Sequence, residues 1–166
     1  MSGTCCFISF FDELDAANNR EKERLEFVLS GALFYLTYAK DVKEYLFPYS
    51  GYLPAIANHA VSAIKIEEPT ICSTLVIPKK ARESIPFSFY LDKWFDKCEN
   101  VAREGATLKE YYRALIDRAD YCFFYFDKKC VSREEKELFA HAKRCKKIAL
   151  NVFPSENIFA LFKVID

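Results

Sequence analysis

Glycine is scarce in this chain, with four among 166 residues, at positions 3, 31, 51 and 105. A phosphate cradle needs backbone that approaches its ligand with no Cβ in the way, and that approach is available at one loop only, Ser50-Gly51. An excess of either charge is also missing, since 24 Lys plus Arg against 24 Asp plus Glu give a formal net charge of +0. No long-range field then draws phosphate backbones or anionic lipid, which argues against non-specific nucleic-acid binding and leaves only a local patch open. Long hydrophobic runs are absent: none approaches the roughly 20 residues of a membrane span, and the N-terminus lacks a basic region followed by an apolar one. The expectation is a soluble, cytoplasmic protein with no membrane partner. CxxC pairs are absent too. The seven cysteines (Cys5, Cys6, Cys72, Cys98, Cys122, Cys130, Cys145) are odd in number, in a chain large enough to fold without staples, so free thiols are expected. There are no internal repeats, linkers or low-complexity segments.

What is present is hydrophobic residues, 51% of the chain, including sixteen Phe and ten Tyr that should be mostly core. That content fits a single domain over residues 1–166. Its centre is Tyr121 to Phe126, YCFFYF, apolar on both faces and closed by Asp127-Lys128-Lys129. Such a strand belongs inside a parallel sheet covered by helices. Helices should flank it, and capping-box spacing occurs on both sides, at Thr107 to Glu110 and at Ser132 to Glu135. A further apolar run, Lys147 to Phe153, completes a βαβ unit.

Towards the N-terminus, Thr4 to Phe11 reads as the first strand, ended by Asp12. A helix from Asn18 or Asn19 to about Leu36 follows, with Leu25, Val28, Leu29, Ala32, Leu33 and Leu36 on one stripe. Val42 to Phe47 is the next strand, less buried than the first because of Lys43 and Glu44. Leu53 to Ile66 is helical, and Pro54 is tolerated in its first turn. Ile71 to Ile77 is the third strand, Lys79 to Pro86 a loop, Phe87 to Asp96 an aromatic stretch suggestive of helix, and Cys98 to Val101 a short edge strand. A last helical stretch begins at Pro154-Ser155-Glu156, with Ile158, Leu161 and Phe162 available to pack against the body. This alternation predicts a three-layer α/β sandwich with a largely parallel sheet of five to six strands.

In such a sheet, ligands sit outside the carboxyl ends of the strands, where helix N-termini converge. The loops in question are Ser9 to Asp15, Tyr49 to Pro54, Pro78 to Arg82 and Asp127 to Arg133. Candidate ligand contacts are Ser9, Phe10, Ser50, Gly51, Tyr52, Asp127 and Lys129.

Three stretches carry a family resemblance: Thr4-Cys5-Cys6-Phe7; Ser50-Gly51 leading into a helix with Ala57, Ala60 and Val61; and Ala114 to Asp120 running straight into an apolar strand. Together they resemble the YpsA-like branch of the SLOG superfamily, which includes the lonely-guy phosphoribohydrolases and the DNA-processing A proteins. The resemblance follows element order up to Phe153. It implies a Rossmann-like sheet that binds nucleotide-like ligands and, in some relatives, cleaves an N-glycosidic bond. The family's Gly-His-Arg after the first strand is replaced here by Ser9-Phe10-Phe11. Its paired glycine and further Gly-x-Asp are reduced to Ser50-Gly51 followed by Tyr52-Leu53-Pro54. Its Arg-Asn pair has become Tyr111-Tyr112, and its Gly-Gly-Thr has become Lys129-Cys130-Val131. The chain thus resembles a degenerate member, with the fold kept and the Gly-rich motifs lost.

The chemistry-bearing residues each admit a plainer role. Ser50-Gly51 is a residual phosphate-binding turn or an ordinary strand-to-helix turn. Asp127 is an acid or ribose-binding carboxylate, or a strand terminator paired with Lys128 or Lys129. Lys79, Lys80 and Arg82 are a phosphate-facing cluster or a solvated loop. His59 falls off its helix's apolar stripe, which suits a surface residue better than a general base. His141 and Cys145 stand at i, i+4, a spacing that can place two metal ligands on one face, with Cys130 and Cys122 as the candidates to complete a set; but two ligands do not make a site, no second spaced pair exists, and buried free cysteine is the common case. Neither a metal nor a cofactor is therefore expected. Cys130, between Lys129 and a helix N-terminus, is the thiol placed to be reactive. Of Tyr111 and Tyr112, one should be core and the other free to face a pocket or partner.

Three functions compete. One is binding of a nucleotide-derived small molecule without turnover, since a pocket stripped of its donors loses catalytic leverage. Another is a nucleotide N-glycosidase, with Asp127 or Glu110 as acid/base. The third is an interaction module with a vestigial pocket, dimerising through aromatic segments such as Phe87 to Phe95.

Overall fold

The computed structural model describes residues 2–10, 19–49, 51–79, 94–154 and 158–165. The strands are β1 (Gly3–Ile8), β2 (Val42–Pro48), β3 (Cys72–Pro78), β4 (Lys97–Val101), β5 (Tyr121–Phe124) and β6 (Ile148–Asn151). The helices are α1 (Asn19–Ala39), α2 (Tyr52–Glu67), α3 (Leu108–Arg118), α4 (Arg133–Arg144) and α5 (Ile158–Ile165). All six strands form one sheet in the order β4-β3-β2-β1-β5-β6, and every pairing is parallel. The architecture is a Rossmann-like three-layer sandwich.

Alternation along the strands sorts the core into two layers. Cys5, Phe7, Tyr45, Phe47, Phe123, Tyr125 and Leu150 pack under α1, α2 and α5. Cys6, Ile8, Leu46, Val76, Cys122, Phe124 and Phe126 pack under α3 and α4. Stacked rings tie the first layer across three strands, with the Phe7 ring 5.0 Å from that of Phe47 and 5.8 Å from that of Phe123. The six residues of YCFFYF are buried or nearly so, although hydrogen-bonded strand ends at Phe124.

Both predicted capping boxes are formed. Thr107 accepts from the Glu110 N–H while Glu110 accepts from the Thr107 N–H, and Ser132 and Glu135 repeat the exchange. The edge strand near residue 98 is present as β4. Most of the predicted loop and aromatic stretch, residues 80–93, lies outside the described residues. At its end, Trp94 and Phe95 fold back, Phe95 against Phe47 and Trp94 against His59, whose ring centroids lie 5.5 Å and 6.2 Å away respectively.

Tyr111 and Tyr112 depart from expectation, because both are core, at 1% and 2% exposure. Their hydroxyls donate to the backbone carbonyls of Val76 and Ser9, at 2.6 Å and 2.7 Å. An apolar helical stripe is at least about 100° wide, so two adjacent residues can share it when each phenol finds an acceptor. All seven cysteines are free. Burial pushes the Cys5 and Cys6 thiols up, helped by neighbouring Cys122, so they stay protonated and inert.

Among the described residues, no helix is long and apolar enough to cross a membrane.

Candidate ligand-binding rim

Parallel strands put every helix N-terminus at the carboxyl rim of the sheet. The chain leaves β1 toward β2 on one side and later returns to pair β5 on the other, so the switch point is the β1–β5 crevice. Register aligns Ile8 with Phe124, which places Ser9 and Phe10 beside the residues that run from Tyr125 to Asp127. Gly51 and Tyr52 open from the tip of β2, the other neighbour of β1.

Gly51 has φ 116 and ψ 150, a conformation essentially confined to glycine. A Cβ there would lie 3.2 Å from Pro54 Cδ and 3.5 Å from the Ser9 carbonyl oxygen. The Ser9 carbonyl thus lies within ordinary van der Waals reach of a side chain at Gly51, and the backbone angles together with the Pro54 ring are what call for glycine there. Gly51 is also the N-cap of α2 and supplies no side-chain cap. Gly51 thus brings no side chain to the first N–H groups of α2, where the positive end of the helix dipole lies, and Pro54 has no N–H to offer.

Ser9 is buried, and its carbonyl is held by Tyr112. Phe10 turns its ring onto Tyr112, with centroids 5.1 Å apart, and so packs with the core layer under α3 and α4. Tyr52 is half-buried, and burial, then the charges of Glu26 and Glu21, push its phenol up. Ser50 lies outside the described residues.

Beside this rim is a polar cluster that the sequence reading did not single out. Glu21, in the first turn of α1 and 8% exposed, takes two hydrogen bonds from Arg24, at 2.8 Å and 2.7 Å. Arg24 also donates to the Val152 carbonyl after β6, and the Tyr125 hydroxyl donates to Glu21 at 3.2 Å. Burial, then the Glu21 charge, push the Tyr125 phenol up, which keeps it a donor. The i, i+3 spacing of Glu21 and Arg24 was the available sequence signal. Asn151 is another buried contributor: its side chain bonds the Phe126 N–H and C=O and the Phe153 N–H, tying the tips of β5 and β6.

The two candidate acids are committed elsewhere. Asp127 accepts the Lys129 N–H at 2.9 Å and its carbonyl accepts from Cys130, so it closes the turn after β5. The Lys129 side chain points from an exposed position in that turn. Glu110 closes its capping box and pairs with Arg103 at 3.0 Å, and the Thr107 N–H and Arg103 hold its carboxyl below the usual range. Its partners come from the β4–α3 connection and not from the β1–β5 crevice. Chemically, the rim offers hydrogen-bond donors to an anion at the head of α2. Asp127 and Glu110, the carboxylates named for acid/base work, accept hydrogen bonds within their own turn and helix cap.

Compared with family models and with curated proteins, the chain matches none.

Proposed function

We propose that this chain binds a nucleotide-derived small molecule at the carboxyl rim formed by β1, β2 and β5, and does not turn it over. It acts as a SLOG-like domain whose glycine-rich loops have degenerated, in the reduced setting of the cytoplasm. The observation that carries this reading is the approach of the Ser9 carbonyl to Gly51, the glycine N-cap of α2, next to the β1–β5 switch point of an all-parallel sheet. Absence of turnover is supported by Asp127 accepting within its own turn and by Glu110, whose carboxyl the Thr107 N–H and Arg103 hold below the usual range, away from the crevice.

A thermal-shift titration against a panel of nucleoside mono-, di- and triphosphates tests it. At a hundred times Kd a bound nucleotide stabilises by about 2.7 kcal/mol, which is a rise of about 5–11 °C for a chain of this size. No shift anywhere in the panel refutes binding. Release of free base from a nucleoside monophosphate, lost in Asp127→Ala, refutes the absence of turnover and establishes the N-glycosidase.

A second reading, an interaction module that pairs with a second copy of the chain, is favoured by aromatics on the outer face of α1. Phe27, Phe34 and Tyr38 are 77%, 52% and 47% exposed. Light scattering over a concentration series distinguishes it, with a strict monomer ruling the pairing out.

A further inference from the structure

The sheet's opposite rim, where the strands begin and the helices end, carries a cluster unrelated to the nucleotide reading. His141 and Cys145 share one face at the end of α4, and α3 brings Asp117 from its own last turn to meet them. His141 Nε2 lies 2.7 Å from Asp117 Oδ1, Cys145 Sγ lies 3.7 Å from the same Nε2, and Sγ lies 4.0 Å from the same Oδ1. We infer that Asp117, His141 and Cys145 form a binding site for a divalent metal ion of the zinc class.

Convergence is the first argument. In a nucleophilic Cys-His-Asp arrangement, thiol and carboxylate address different ring nitrogens. Here the carboxylate bonds Nε2, and the thiol is no closer to Nδ1, at 3.9 Å, than to Nε2. Three ligand atoms thus face one point. Tetrahedral bonds of about 2.0–2.3 Å separate ligands by about 3.3–3.6 Å, so the Asp117–His141 edge opens by about 0.6 Å and the sulfur edges close slightly. An ion replaces the hydrogen bond between them.

Charge is the second argument. One carboxylate, one thiolate and a neutral imidazole balance a divalent ion. The C-terminal ends of α3 and α4 both lie here, and their negative dipole ends oppose the nearby Lys143, Arg144, Lys146 and Lys147. A thiolate with an imidazole selects zinc or cobalt over magnesium or calcium. Asp117 and Cys145 are exposed while His141 is mostly covered, so the ion has access and keeps a fourth position for water. Spacing along one helix showed only two of these ligands, because the third belongs to the preceding helix.

The test is titration of the full reduced chain with Co2+ and with Zn2+. Cobalt should give tetrahedral visible bands and a thiolate-to-cobalt charge-transfer band, and zinc should displace it. Cys145→Ser should remove the charge-transfer band. His141→Ala and Asp117→Asn should each weaken binding by about tenfold or more, whereas Cys130→Ser should leave spectrum and affinity unchanged. Circular dichroism confirms that each variant is folded. No cobalt spectrum, or a charge-transfer band that survives Cys145→Ser, overturns the site.

Discussion

Replacing Gly51 by alanine separates two costs that glycine hides. Alanine at φ 116, ψ 150 enters a backbone region that is essentially glycine-only, at about 1–3 kcal/mol. Its methyl would also meet the Pro54 ring at 3.2 Å and 3.4 Å, and a proline ring cannot rotate away. The sum should be about 3 kcal/mol, or a Tm lowered by about 6–12 °C for a chain of this length. Gly105 is the internal control, since its φ is also positive, at 73, but a Cβ there meets nothing within 4 Å. Gly105→Ala should therefore cost only the left-handed penalty of about 1 kcal/mol. Urea denaturation followed by the fluorescence of the single tryptophan, Trp94, measures both, with an unchanged slope showing that the unfolded state is not what moved. Equal losses in the two variants, or less than about 0.5 kcal/mol at Gly51, would refute the strained, Pro54-crowded backbone at the head of α2.

Asn151→Leu removes three hydrogen bonds and strands the Phe126 N–H and C=O and the Phe153 N–H, so it should cost about 3–5 kcal/mol by chemical denaturation. Lys146 holds φ 57 where a helix usually ends on glycine, and the Lys147 N–H closes the turn on the Ala142 carbonyl, so Lys146→Gly should stabilise by about 1 kcal/mol in the same assay. Asp96 sets a pH dependence: burial favours its neutral form, but hydrogen bonds from Lys65 and from the Ser73 N–H and hydroxyl outweigh this and leave its carboxyl lowered. A carboxylate depressed on folding contributes stability that is complete above its unfolded pKa of about 4 and is lost as pH falls through the folded value. Asp96→Asn should therefore flatten the acid limb of a stability-against-pH curve while leaving its slope near neutrality unchanged.

The fold was legible because its signals are local. Thr107 to Glu110 and Ser132 to Glu135 mark two helix starts within four residues, and YCFFYF announces a strand buried on both faces. What was hidden depends on contacts between distant segments. Tyr111 and Tyr112 look like one core and one free residue until the carbonyls of Val76 and Ser9 are brought above them. The Glu21–Arg24–Tyr125 cluster joins the head of α1 to the residue just past β5, about a hundred residues later, and no periodicity on either segment encodes that meeting. Asp117 joins His141 for the same reason.

The same distant contacts bear on the choice of α2 over α1 for the proposed ligand. In a Rossmann-like sheet the head of the first helix ordinarily receives the anion, because its N–H groups and dipole point into the switch-point crevice. Here a carboxylate of the chain itself, Glu21, is buried in that first turn, with a guanidinium and a phenol as partners. A phosphate brought to the same place would find the position at the head of α1 already filled by the Glu21–Arg24 ion pair and its phenol partner. Ser9-Phe10 after β1, with no glycine, and the internal acid on α1 both leave the first helix head poorly suited to an anion. Gly51, in contrast, is the N-cap of α2 and brings no side chain of its own to that helix head.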